Sequence, residues 1–232
     1  MNLKRTSAIF QKQIKDTFKN KTVFIQFVMF PLLAIIMKNS VKMKGMPDNF
    51  FVTMFASMYL AMAPITSMSA VIAEEKETNT LRVLMMSNVK PVEYLLGVGS
   101  YIWFSCMLGS VVFAVLGDYS NIQMLQFLGV MAIGISVSIL IGAAIGTWSK
   151  NQMMATSVTV PAMMVFSFVP MLSTFNSAIE KIGTITYSQQ IYGLMNQIGD
   201  LHITGQGILV IAVNLALTLG LFICAYRRSG LA

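Results

Sequence analysis

Residues 72–97, IAEEKETNTLRVLMMSNVKPVEYLLG, carry seven charged side chains, and the runs on either side, 50–73 and 98–117, carry none. Uncharged apolar runs of that length suit a bilayer, whose hydrocarbon core of about 30 Å takes roughly 20 helical residues. The whole chain agrees: 56% of its 232 residues are hydrophobic and 11% are charged, and the mean hydropathy is +0.70. A soluble domain is excluded on composition. The charged stretch is therefore a loop between two membrane spans.

Working outward from that loop, the gaps between charges predict six spans. The first lies between Lys21 and Lys38, and the second and third run over 50–73 and 94–117. The fourth covers 125–148, the fifth 152–175 and the sixth 207–226. The first is short, and snorkelling lysines at both ends make up its length. Residues 182–199 are also uncharged, but Thr184, Thr186, Ser188, Gln189, Gln190, Asn196 and Gln197 make them too polar for lipid. They are expected to form an interfacial or re-entrant segment. With no hydrophilic linker, repeat or low-complexity tract, the expectation is one all-α membrane domain over 1–232. Within it, 1–21 is an interfacial helix, 74–93 a cytoplasmic loop and 176–206 an outer segment.

Positive charge sets the orientation. With the amino terminus inside, twelve of the sixteen lysines and arginines fall on the cytoplasmic side and four outside, so both termini are expected in the cytoplasm. A signal peptide would also begin with a basic and then an apolar region, but no small-residue cleavage site follows. Residues 1–21 instead place Phe10, Ile14 and Phe18 four apart among Lys4, Lys12, Lys15 and Lys19. That is the pattern of a helix lying on an anionic leaflet. The net charge of +7 flanks the spans rather than forming one basic face, which argues for lipid and against nucleic acid. Cys106 and Cys224 fall in proposed spans near opposite faces, too far apart to pair.

Several chemistries are missing from the sequence. An ion-coupled carrier usually places an ionisable group near the midplane, whereas Asp118 falls at the outer end of the third span and the single histidine, His202, in the outer loop before the last. No metal-ligand cluster and no nucleophile–base set is evident, so catalytic residues and metal sites are expected to be absent. The chain has no Gly-Lys dipeptide, which excludes a phosphate-binding loop of the G-x-x-x-x-G-K type. Any ATP used must bind to another chain.

The spans carry two further patterns. Gly134, Ser138, Gly142 and Gly146 recur every four residues and form a ridge where a helix can approach closely. Thr53 and Ser57 run beside Met54 and Met58 in the second span, and Thr159, Met163 and Phe166 lie in the fifth with Thr156. Two readings stand for these residues. The hydroxyls bond to their own helices and the methionines fill gaps, or the set lines an adaptable path for an amphipathic substrate.

In the opening stretch, Leu81, Leu84 and Met85 fall at i, i+3, i+4, which predicts a short helix with one apolar face. Thr78, Asn79 or Thr80 can cap it, and Pro91 suits the first turn of the next span. Glu74, Glu75, Lys76 and Glu77, then Thr80, Leu81, Leu84 and Ser87, then Glu93, Tyr94, Leu95, Leu96 and Gly97, resemble the first cytoplasmic loop of ABC type-2 transporter permeases. Asn79 stands where that family usually has glycine, Arg82 where it has glutamate and Asn88 where it has proline.

The resemblance implies the transmembrane subunit of an ABC exporter in a bacterial plasma membrane. It would work as a dimer with a second copy or close relative and with two ABC ATPase subunits that hold the ATP and magnesium, so this chain needs no cofactor and is not an enzyme. Glu74, Glu75, Glu77, Thr80, Leu81, Leu84 and Met85 would then couple to the ATPase. The second and fifth spans would line the path, giving Thr53, Met54, Ser57, Met58, Thr159, Met163 and Phe166 a role in efflux. Short outer loops favour a hydrophobic or amphipathic cargo, such as a drug, a lipid or a small antimicrobial peptide. The alternative is a membrane scaffold or sensor that partners an ATPase and transports nothing.

Overall fold

A computed structural model describes residues 3–19, 21–41, 49–200 and 204–228; the side chains of residues 18, 19, 21–23 and 228 lie outside the description. Phe18, Lys19, Lys21 and His202, invoked above, are thus beyond it as side chains. The described residues form ten helices and no strand. They are α1 (Leu3–Lys19), α2 (Lys21–Ser40), α3 (Phe50–Glu77), α4 (Thr80–Met86), α5 (Pro91–Leu116), α6 (Asn121–Trp148), α7 (Gln152–Ser173), α8 (Ser177–Gly183), α9 (Tyr187–Met195) and α10 (Gly205–Arg228). By length and composition α3, α5, α6, α7 and α10 can each cross a membrane, while the described apolar part of α2, Phe24–Ser40, is shorter.

The bundle is built around α3. Its most apolar window is 72% buried, against 11% for α10 at the edge, because α2, α5, α6 and α7 all pack on it. Apolar or small residues on every side of α3, among them Ala56, Leu60, Ala61, Ile65 and Met68, suit that central position. The closest approach is to α6. A Cβ added to Gly142 would lie 2.7 Å from the Ile65 carbonyl oxygen, and one on Gly146 would lie 2.9 Å from that of Ser69. A Cβ on Gly134 would meet Leu60 at 2.9 Å. The Ser138 hydroxyl, on the same ridge, bonds to the Gly134 carbonyl and pairs with the Tyr187 hydroxyl at 2.7 Å.

The helix ends have local causes. Ser120 and Gln123 form a capping box that starts α6 four residues before the expected 125. Asn151 accepts the Met154 N–H to start α7, and Pro91 opens α5 at its first turn. The polar outer segment forms α8 and α9. Tyr187, Ser188, Ile191, Tyr192 and Met195 of α9 are buried against α3, α6 and α7, and Phe166 lies over the Tyr187 ring with centroids 5.1 Å apart.

Helix α1 docks on α5, where Ile9 fits against Gly97 so closely that a Cβ there would lie 2.8 Å away. The face turned to the protein is Ile9, Gln13 and Thr17, all buried; Phe10 and Ile14 sit half-buried beside it. Phe10 meets Tyr101 and Phe104 edge-on. The apolar stripe expected from sequence is thus the flank of the contact. Its centre is partly polar because Gln13 and Thr17 find partners in the bundle.

Candidate functional site

The charged end of α3 organises the loop that the sequence singles out. Its four ionisable residues point in different directions. Glu75 is 6% exposed, and its side chain accepts hydrogen bonds from Lys12 and, at 2.9 Å, from Gln13 of α1. The Tyr94 hydroxyl faces this carboxylate closely enough to feel its charge, without hydrogen-bond geometry. Lys76 donates to the carbonyls of Thr147 and Ser149, at 2.6 and 2.5 Å, at the carboxyl end of α6. Glu77 accepts the backbone N–H of Gln152, at 2.9 Å, at the amino end of α7. Glu74 remains exposed.

These pairings follow the helix dipoles. A cation sits on the unpaired carbonyls that end α6 and an anion on the unpaired N–H groups that begin α7. They also explain why α3 continues to Glu77 instead of stopping near residue 73. Glu75, Lys76 and Glu77 of the added turn each have a partner on a different helix.

After Glu77 the chain turns through Thr78, whose hydroxyl donates to the Glu74 carbonyl at 2.9 Å. Asn79 has φ +58°, in the left-handed region that glycine favours and asparagine tolerates best among other residues. It is the residue standing where the resembling family has glycine. Asn79 makes no side-chain cap bond, and the Thr78 and Thr80 hydroxyls pair at 2.9 Å. Asn88 has φ +60°, a conformation closed to the proline it replaces. The proline-dependent turn is rebuilt three residues on: Lys90 is extended, its N–H is accepted by Glu93 at 3.1 Å, and Pro91 begins α5.

Helix α4 turns its apolar face toward its own subunit. Leu81 is 2% exposed and belongs to the core, and Leu84 and Met85 are half-buried against it. The apolar face read as a plug for a partner instead seats α4 on its own subunit. What α4 presents outward is Arg82, Val83 at 61% exposure and Met86 at 79%. Glu75 is likewise turned inward to α1. Arg5 of α1 completes the strap, donating to the Asn88 carbonyl and lying 3.8 Å from the buried Glu93.

The residues proposed for a path are buried inside the single chain. Thr53 donates to the Asn49 and Phe50 carbonyls, and Ser57 donates to that of Met54 at 2.7 Å. Met54 and Met58 are buried with them, and Thr159 donates to Ser69 at 2.8 Å across the α3–α7 contact. Met163 is half-buried, as is Phe166 over Tyr187. Within one subunit Thr53 and Ser57 thus bond to their own helix, while Thr159 bonds across to α3. The open face of α7 holds Met153, Thr156, Ser157, Pro161, Met164 and Val165.

Sequence reading did not find Arg5, Lys12 and Gln13 as partners of the loop. One signal was available: Gln13 and Thr17 continue the four-residue spacing of Ile9, on a helix that otherwise keeps polar groups away from its apolar side.

A helical bundle with several spans and a clamped, charged loop after its central helix defines a multi-pass membrane protein. The sequence matches the family described as ABC-2 family transporter protein over residues 2–226, nearly its whole length, and the chain belongs to that family. It is thus the permease component of an ABC transporter, a membrane subunit that works with an ABC ATPase. No curated protein matches the chain significantly.

Proposed function

We propose that this permease is the membrane half of an exporter for a hydrophobic or amphipathic compound, with α4 as the contact to its ATPase. The observation that carries the reading is the exposed Arg82, Val83 and Met86 face on a helix whose other side is fixed in the core. A seated helix transmits a push, whereas a free connector would absorb it. The push would pass from α4 to α3 and α5, then through Lys76 and Glu77 to α6 and α7.

In this reading α2 completes six spans, both termini are cytoplasmic, and two copies meet along the open α7 face. Thr156, Ser157, Met164 and Val165 offer a weakly polar, adaptable lining suited to amphipathic cargo. The buried Thr53, Met54, Ser57 and Met58 stripe would enter the path only as α3 tilts, with Met163 and Phe166 at its edge. ATP and magnesium belong to the partner, and this chain has no catalytic residue of its own.

The test is purification of the tagged protein in mild detergent, with mass spectrometry of what accompanies it. An equimolar ABC ATPase, lost in a Val83→Asp, Met86→Asp variant that still folds, is the expected result. Retention of the ATPase by that variant would remove α4 from the coupling role. ATPase activity stimulated by an amphipathic substrate separates an exporter from a non-transporting scaffold.

A further inference from the structure

We infer that Pro64 is a hinge in α3, about which the first half of the helix, residues 50–63, swings while the second half, 65–77, stays locked to the bundle. The bend itself needs no transport reading; that it brings Met54 and Met58 into a substrate path rests on the exporter proposed above.

Pro64 lies inside the 28-residue α3. It has no N–H to give to the Leu60 carbonyl, and its ring crowds that carbonyl. Sharp helix bends are found at such positions. Whether the site moves depends on what holds the helix on either side of it.

The two halves are held differently. After Pro64, α3 is bonded to four other helices. Gln26 of α2 accepts from Thr66 and Ser67 at 3.1 and 3.0 Å, and Thr159 of α7 donates to Ser69 at 2.8 Å. Glu75, Lys76 and Glu77 then tie the helix to α1, α6 and α7. A Cβ on Gly142 or Gly146 of α6 would strike the Ile65 or Ser69 carbonyl, so two backbones touch here as well.

Before Pro64 the hydroxyls of Thr53 and Ser57 turn back to their own helix. The bond that reaches this half from α7, Ser167 to the Met58 carbonyl, is long at 3.4 Å. Leu60 meets Gly134 through its side chain, and the Tyr59 ring packs on Phe30 and Phe113 with centroids 6.5 and 5.4 Å apart. Apolar contacts have no fixed direction and can slide, whereas the polar bonds of the second half would have to break in a low-dielectric interior.

The walls around the first half are fixed. Helix α6 contains no proline, and the Ser138–Tyr187 pair holds α9 to it. The carboxyl end of α7 is held to α9 by Ser173 donating to Gln189 at 2.9 Å and by Thr174 pairing with Tyr192 at 3.1 Å. Pro161 and Pro170 also interrupt α7, but these bonds pin its end, which leaves 50–63 as the moving part. That segment is an arm of about 21 Å, so a bend of about 20° shifts its tip by roughly 7 Å.

The test is the distance between spin labels on the full-length protein in lipid nanodiscs, with the exposed Cys224 replaced by serine and the buried Cys106 kept. One pair, Asn49→Cys with Ile122→Cys, joins the tip of α3 to the start of α6. The other, Glu74→Cys with Lys150→Cys, joins their opposite ends. Asn49 makes no side-chain cap bond, and the other three residues are exposed. The tip pair should give a distance distribution at least about twofold broader than the opposite pair, and Pro64→Ala, which restores the N–H, should narrow it to the same width. Pro64→Ser serves if the alanine variant misfolds. Equal widths in the wild type, or an unchanged tip width in a folded Pro64 variant, would overturn the hinge. With an ABC ATPase and ATP bound, the tip distance should shift by about 7 Å and the opposite one by less than about 2 Å. Equal shifts would mean that α3 tilts as one rod and would also overturn it. A hinge seen in the free protein when no ATPase co-purifies would count against the coupling role alone, so the two can fail independently.

Discussion

Glu77 at the end of α3 holds the first turn of α7 by accepting the N–H of Gln152 at 2.9 Å, while its neighbour Lys76 holds the last carbonyls of α6. Helices α6 and α7 are joined by a turn of three residues, 149–151, so one dipeptide of α3 grips both sides of it. Movement of α3 along its axis must therefore carry the α6–α7 hairpin or break these bonds.

The first prediction tests that grip. Lys76→Met leaves the Thr147 and Ser149 carbonyls without their donor and should destabilise the protein by about 1–3 kcal/mol in denaturant or thermal unfolding. Glu77→Gln keeps an acceptor but loses its charge at an exposed helix end, and should cost less than about 1 kcal/mol. In a transport assay of the complex with its ATPase, both variants should leave ATP hydrolysis intact while moving less substrate. Equal loss of ATPase and transport would mean that the clamp is structural only.

A second prediction concerns α1. Lys12→Met leaves the Glu75 carboxylate buried with Gln13 as its remaining hydrogen-bond donor, and should cost about 2–3 kcal/mol, below the full cost of a broken buried pair because Lys12 is partly exposed. Restoring neutrality with Glu75→Gln in the same chain should recover most of the loss. Limited proteolysis within residues 3–19 reads the release of α1 directly.

The third prediction separates the two faces of α4. Leu81→Asp buries a charge without a partner and should unfold the loop, costing several kcal/mol. Val83→Asp and Met86→Asp change exposed residues and should leave the unfolding free energy within about 0.5 kcal/mol of wild type. If Leu81→Asp melts normally yet sheds the ATPase, the inward seat of Leu81 is wrong.

Five long apolar helices and the loop were legible because they depend on long-range averages of hydropathy and on charge placement, which survive errors of a few residues. The direction of α4 was not, since a face of Leu81, Leu84 and Met85 looks the same whether it seats on its own subunit or on a partner. The buried face of α1 was missed for a related reason. Gln13 and Thr17 look solvent-facing until Glu75 and Tyr101 are known to lie opposite them. The start of α6 has a short motif, Ser120-x-x-Gln123, that the gaps between charges do not reveal, and the extension of α3 to Glu77 depends on partners 71–75 residues away in sequence.

The last prediction concerns Asn79, the left-handed residue between α3 and α4. Its φ of +58° costs a typical L-residue roughly 1–2 kcal/mol, and a β-branched one more. Asparagine bears this better than most, and here without a side-chain cap bond to lose. Asn79→Gly should therefore be neutral or slightly stabilising in thermal unfolding. The relief of strain is opposed by the larger backbone entropy of glycine in the unfolded chain. Asn79→Val should destabilise by about 2 kcal/mol and tilt α4 away from its seat. Because Val83 and Met86 ride on that helix, the valine variant should also weaken ATPase retention while the glycine variant preserves it. A valine variant as stable as wild type would mean that the turn relaxes to a right-handed form, and the rigid path from α4 to α3 would lose its first link.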